Sequence, residues 1–145
     1  MSEIEIKAPT AFTIAGARAV AEREEKGVDV NIRDETGEMM LTTDESGALV
    51  QATATVLGKF SATYRKADQA VSDTMLRKRA TDLTAELLEN NELSKIAACV
   101  SGWNLRDGVK PIPCDKFNII TVLKAAPWIR RDLEAVMGDP GRFLA

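Results

Sequence analysis

Two cysteines bracket the stretch CVSGWNLRDGVKPIPC, and Cys99 and Cys114 are the only thiols among 145 residues. Four thiolates would hold a zinc ion; two within one chain do not. In an oxidising compartment the pair could close a disulfide, whereas a cytoplasmic chain keeps its thiols reduced. Cys99 sits in the apolar run IAACV, where a free cysteine behaves as a small buried hydrophobe. Cys114 stands one residue before a helix start and reads as a loop residue. The chain has no histidine. That removes Ser-His-Asp and Cys-His catalysis and every histidine-bound metal.

Carboxylates are the other candidate chemistry. DETG (34–37) and DESG (44–47) are near copies ten residues apart. Paired acids suggest calcium or acid–base work, but the spacing of a calcium-binding loop is absent. Asp at the start and Gly at the end is the composition of a tight turn. The basic cluster RKR (77–79) falls inside a helical pattern, where a solvated face is the default use. No glycine-rich phosphate loop occurs. No set of residues converges on a reaction site, so neither catalysis, cofactor nor metal is expected.

These groups need elements to carry them. Hydrophobic residues make up 45% and charged residues 28%, enough apolar material for one core. The net charge of −3 argues against a dedicated nucleic-acid binder, which carries a basic face. No apolar run approaches the ~18 residues of a membrane helix. The start, MSEIEIKAPTAF, lacks a basic segment followed by an apolar one, so a chain that stays in the cytoplasm is expected.

Residues 1–12 read as a polar arm. TIAGARAVAEREEKG (13–27) reads as a helix with Ile14, Ala17, Val20 and Ala21 as its apolar stripe and Gly27 as its stop. VDVNIR (28–33) alternates strictly, EMMLTT (38–43) follows the first acidic turn, and ALVQATATVLG (48–58) alternates again through Val50, Ala52, Ala54 and Val56. Period two and two tight turns predict a three-stranded antiparallel meander. A long helix is expected over 66–89, ended by ENN, with Asn91 capping a short helix, ELSKIAACV (92–100). Asp115 caps a helix over 116–126 with Phe117, Ile120 and Leu123 inward. Pro127 opens the last helix, with Ile129, Leu133, Val136 and Met137 inward. The fold class is α+β: a small β-meander near the N-terminus followed by a mostly α-helical C-terminal half. Residues 1–58 and 59–145 are its two regions, in one compact unit.

The cadence of residues 92–144 carries a resemblance. A short helix leads to Gly102-Trp103; an Asp107-Gly108 turn follows; then KPIP and the capped helix of CDKFNIITVLKAAPWI; then a final helix that ends near Arg142-Phe143. This resembles the small tail assembly chaperones of long-tailed bacteriophages and prophages. The strand and turn GVDVNIRDETGE are similar, more loosely, to phage tail-region proteins of this size. The resemblance implies a protein without catalysis that works in the host cytoplasm and is absent from the finished virion. It implies binding of the tape-measure protein, whose apolar helices aggregate when uncovered, and help in recruiting tail-tube protein, with self-association also open. Such chaperones are often made in two lengths by ribosomal frameshifting.

Trp103, Ile112, Phe117, Trp128 and Phe143 are the large apolar groups of that region. Core packing is the default use of each; a partner-binding set is the sharper use. Within it Trp103 and Trp128 stand out, because one reads as a loop residue and the other as first-turn, and aromatic anchors dominate interfaces. The rival role is a structural virion protein, a tail-tube or head–tail connector subunit joined through sheet edges. A nucleic-acid regulator using MLRKRATDL is the weakest alternative.

Overall fold

The computed structural model describes residues 11–144; most of the expected N-terminal arm, residues 1–10, lies outside them. The elements run α1 (Ile14–Lys26), β1 (Val28–Asn31), β2 (Leu41–Thr43), β3 (Leu49–Gln51), β4 (Thr53–Val56), α2 (Ala62–Leu76), α3 (Ala85–Cys99), β5 (Val100–Trp103), β6 (Arg106–Asp107), β7 (Lys110–Pro111), α4 (Lys116–Ala125) and α5 (Pro127–Met137). Short 3-10 turns occupy Ala80–Asp82 and Pro140–Phe143. The class is α+β.

The main sheet has the order β1-β4-β5, antiparallel throughout. Alternation does what the sequence asks of it. Val30 and Ile32 go inward from the first run, and Ala52, Ala54 and Val56 from the third, while Asp29, Thr53 and Thr55 stay off the core. The three runs nevertheless do not form a simple meander. The third run divides at Ala52. Its first part pairs with β2 in a separate ribbon, and its second part pairs with β1. At the division the three backbones close a triangle. Ile32 N–H donates to Ala52 O (3.0 Å), Ala52 N–H to Met40 O (2.8 Å), and Met40 N–H to Ile32 O (3.0 Å). Each backbone group that leaves one partner finds another, so the bend leaves none of these buried groups unpaired.

The two acidic turns repeat in geometry as in sequence. Asp34 Oδ1 accepts from Thr36 N–H (2.9 Å), Thr36 Oγ1 (2.6 Å) and Glu38 N–H (3.0 Å). Asp44 Oδ1 accepts from Ser46 N–H (2.9 Å), Ser46 Oγ (2.6 Å) and Ala48 N–H (3.0 Å). Gly37 and Gly47 close the turns at φ 90 and 85, a conformation that side-chain-bearing residues avoid. Hydrogen bonds from Thr36 and Ser46 lower both carboxyls below the usual aspartate value. The acids are consumed by their own turns.

The second half departs further from its reading. The strands are not confined to the N-terminal part: Val100, Gly102 and Trp103 pair with β4 as the third strand of the main sheet, and β6 and β7 make a small hairpin beyond it. Trp103 is therefore a strand residue. The expected helix over 66–89 is two helices. The chain breaks at 77–84, Thr84 Oγ1 caps α3 by accepting from Leu87 N–H (3.1 Å), and ENN lies inside α3. In α4 the buried residues are Ile119 and Leu123; Phe117, expected inward, is 78% exposed.

One face of the sheet meets the C-terminal end of α3 (Leu93, Ile96, Ala97, Cys99), α4 (Ile119, Leu123), α5 (Ile129, Leu133, Val136, Met137) and Phe143 in a single core. Asp132, 4% exposed, fastens α5 to the end of β1. Its Oδ2 accepts from Arg33 N–H (2.7 Å), and its Oδ1 accepts from Arg33 Nη2 (3.0 Å) and Arg131 Nε (3.1 Å). Burial works against the charge, but the Arg33 N–H and the two guanidinium bonds outweigh it and hold the carboxyl below its ordinary value.

Helix α1 is attached differently. Its single buried residue is Glu24. One carboxylate oxygen accepts from Phe60 N–H (2.9 Å), and the Glu24 carbonyl accepts from Gly58 N–H (3.1 Å). A Cβ on Gly58 would stand 1.9 Å from Glu24 Oε1, so only glycine leaves room for this carboxylate. Glu25 accepts from Thr63 N–H (3.1 Å) and the Thr63 hydroxyl in the first turn of α2, where helix N–H groups lack partners of their own.

Candidate functional site

Among the described residues no three His, Cys, Asp or Glu side chains gather as a metal site, and no helix is long and apolar enough to cross a membrane. Both cysteines are free. Burial pushes the Cys99 thiol up to about 11 and also raises Cys114.

Apolar surface does collect, on the hairpin of α2 and α3. The two helices run antiparallel. Lys95 Nζ, on α3, donates to Asp68 on α2 (3.2 Å) and pairs with Glu92 (2.8 Å), and Asn91 Nδ2 reaches Met75 Sδ (3.0 Å). Burial works against the Lys95 charge, but Glu92 and Asp68 outweigh it and raise its pKa. Only the C-terminal end of α3 enters the core. No residue between 62 and 92 is buried, although that stretch holds Val71, Met75, Leu76, Leu83, Leu87 and Leu88. Leu76 is 85% exposed and Leu88 47%.

On one side of this hairpin lies an open hollow of ≈ 660 Å³, floored by Val71, Met75, Leu76, Leu83 and Leu88 and edged by Asp68, Glu92 and Lys95. A smaller hollow of ≈ 290 Å³ is lined by Ala67, Ala70, Thr74, Ala98 and Lys116, and shares Val71 and Asn91 with the first. Small and medium apolar floors with charged edges are what an amphipathic helix needs in a groove. Each leucine that a partner covers contributes roughly 1.5–3 kcal/mol of burial.

No protein-family model, curated protein or solved structure matches this chain.

The five residues expected at a partner surface scatter. Trp103 is half-buried, its indole N–H donating to Ile112 O (2.8 Å), and both residues pack on the core and line a shallow hollow of ≈ 310 Å³. Trp128 is half-buried in the first turn of α5, and its indole N–H has no hydrogen-bond partner among the described residues. Phe143, 3% exposed, is a core residue. Phe117 alone is fully outward, next in sequence to Lys116 at the smaller hollow. Trp103 and Ile112 are thus brought together. Trp128 packs against the same core, Phe143 lies inside it, and Phe117 stands outside it.

The α2–α3 residues escaped the sequence reading because Val71, Met75, Leu76 and Leu83 form one stripe at helical spacing, which normally means core. The signal that separates them is the break at 77–84. It folds the stripe on itself and leaves more apolar side chains than one helix contact uses.

Proposed function

We propose that this chain is a phage tail assembly chaperone, acting by binding alone, and that its α2–α3 hairpin holds an apolar helix of the tape-measure protein while the tail is built. In this role it delivers tail-tube protein to the growing complex and leaves before the virion is complete, within the host cytoplasm. The resemblance of residues 92–144 motivates the family. The observation that carries the binding mode is the run from 62 to 92, in which no side chain is buried and Leu76 stands 85% exposed. A folded helical hairpin that leaves Leu76, Leu83 and Leu88 exposed beside half-buried Val71, Met75 and Leu87 holds apolar surface ready for a partner.

Co-expression tests the reading. An apolar tape-measure segment that is insoluble alone is expected to stay soluble with this chain. Leu76→Asp together with Leu88→Asp, both at exposed positions, is expected to abolish that rescue and leave the thermal unfolding of the chain unchanged. A segment that remains insoluble beside the wild-type chain, or that is rescued equally by the double variant, overturns it.

A further inference from the structure

The larger hollow on the α2–α3 hairpin has two unlike ends. At one end Leu76, Leu83 and Leu88 are exposed. At the other, Lys95 stands between Asp68 on α2 (3.2 Å) and Glu92 on α3 (2.8 Å). Two carboxylates against one ammonium leave an excess of one negative charge. The Lys95 side chain is 13% exposed and is already engaged twice, through Asp68 Oδ1 and Glu92 Oε1. The two acids are 52% and 53% exposed, and their second oxygens have no hydrogen-bond partner among the described residues. The excess charge therefore lies on the groups that an incoming helix meets. Asp68 and Leu76 are both on α2, a separation of ~12 Å along the axis.

We infer that Asp68 and Glu92 select the helix that this hollow takes, an amphipathic one with a lysine or arginine about two turns from its apolar anchor. The inference rests on the reading of the hairpin as a helix-binding surface and adds the chemistry of the partner. Charge complementarity carries it. A cationic side chain laid over the rim meets two carboxylate oxygens left open by Lys95. A neutral or acidic one covers the same carboxylates and leaves their excess charge shielded from water and unpaired, which costs affinity. The selection also distinguishes the two hollows of the hairpin. The smaller one is lined by a single charged residue, Lys116, which repels the cation that the larger one attracts.

The test uses the full chain and two synthetic helical peptides, identical in a leucine face and differing at one position two turns from the central leucine, lysine in one and glutamine in the other. Calorimetric titration is expected to show the lysine peptide bound roughly tenfold more tightly, with the advantage shrinking at high salt. Asp68→Asn together with Glu92→Gln keeps oxygen acceptors for Lys95 and removes both charges. It is expected to abolish the advantage and leave the glutamine peptide's affinity unchanged. Lys95→Met removes the ammonium instead and is expected to widen the advantage, so the assignment stays open to refutation should the double variant fail to fold. Equal affinity of the two peptides for the wild-type chain, a lysine advantage that survives Asp68→Asn with Glu92→Gln, or one that narrows in Lys95→Met overturns the selection and leaves the hairpin reading standing. Binding of neither peptide, or binding of both undiminished by Leu76→Asp, overturns the hairpin reading and the selection with it.

Discussion

Removing the Asp132 carboxylate is expected to loosen the joint between α5 and the end of β1. Its three hydrogen bonds do not contribute equally. The Arg33 N–H bond, at 2.7 Å to a carboxylate that is 4% exposed, is charge-assisted and sheltered from water, and bonds of that kind contribute ~1.5–3 kcal/mol. The side chains of Arg33 and Arg131 are 57% and 46% exposed, so solvent screens their guanidinium groups to ~0.5 kcal/mol each. Asp132→Ala therefore loses about 3 kcal/mol. Asp132→Asn keeps an oxygen for the Arg33 N–H and loses ~1–2 kcal/mol. The carboxyl is lowered in the folded chain, so its contribution is fully present above the unfolded aspartate pKa and is lost as the pH falls through the folded value. Urea unfolding at neutral and acid pH reads both effects. The wild-type chain is expected to exceed Asp132→Asn at neutral pH, and the gap to close on acidification. Asp34 and Asp44, also lowered, titrate in both proteins and cancel from the difference. An Asp132→Ala chain within ~0.5 kcal/mol of wild type at neutral pH, or a gap that widens in acid, refutes the reasoning.

Gly58→Ala drives a methyl group into Glu24, where the clash at 1.9 Å leaves no room. It is expected to lower the unfolding free energy by ~2–4 kcal/mol, and Glu24→Ala in the same chain is expected to recover part of that loss; a Gly58→Ala protein as stable as wild type contradicts the packing. Alkylation at mildly alkaline pH is expected to reach Cys114 well before Cys99, because Cys99 is fully buried and its thiol is raised to about 11. Mass spectrometry of the native chain, with the denatured chain as control, reads the order; faster labelling at Cys99 contradicts it.

Local signals in the sequence were read well where the structure they specify is local. The alternation of Val28, Val30 and Ile32 needs only a half-buried strand, and the duplicated acidic tetrapeptides each close their own turn with a single aspartate oxygen. Asp115 caps its helix through its carboxylate. Pairing over distance was not legible. Residues 100–103 offer four positions, one a glycine, with no alternation to read, and their partner strand lies some 45 residues earlier. The division of the third run at Ala52 depends on a triangle of backbone bonds from three segments, which side-chain identities do not encode. The helix break at 77–84 was hidden because the apolar stripe stays in register across it. The two asparagines of ENN looked like a stop. Yet Asn91 sits on the α2 contact with its amide against Met75, so packing between the helices outweighs a weak intrinsic preference. Phe117 was placed inward by spacing from Leu123, but in the first turn of α4 it is exposed, and Ile119 takes the inward position beside Leu123. The large aromatic residues drew the reading of a partner surface toward the C-terminus, where Trp103, Ile112 and Phe143 serve the sheet and core. The hollow on the hairpin is floored by leucines, a methionine and a valine that look, in sequence, like any core.

The central claim is that the α2–α3 hairpin seats an apolar helix of the tape-measure protein. Hydrogen exchange by mass spectrometry, on the full chain alone and in complex with a co-purified tape-measure segment, tests it most directly. In the free chain the backbone of 62–92, with no buried residue, is expected to exchange faster than α5, which lies in the core. Binding is expected to slow exchange over 68–92 and to leave β1, β4 and α5 unchanged. Protection confined to other elements, or no change at 68–92 with the segment bound, would contradict the account.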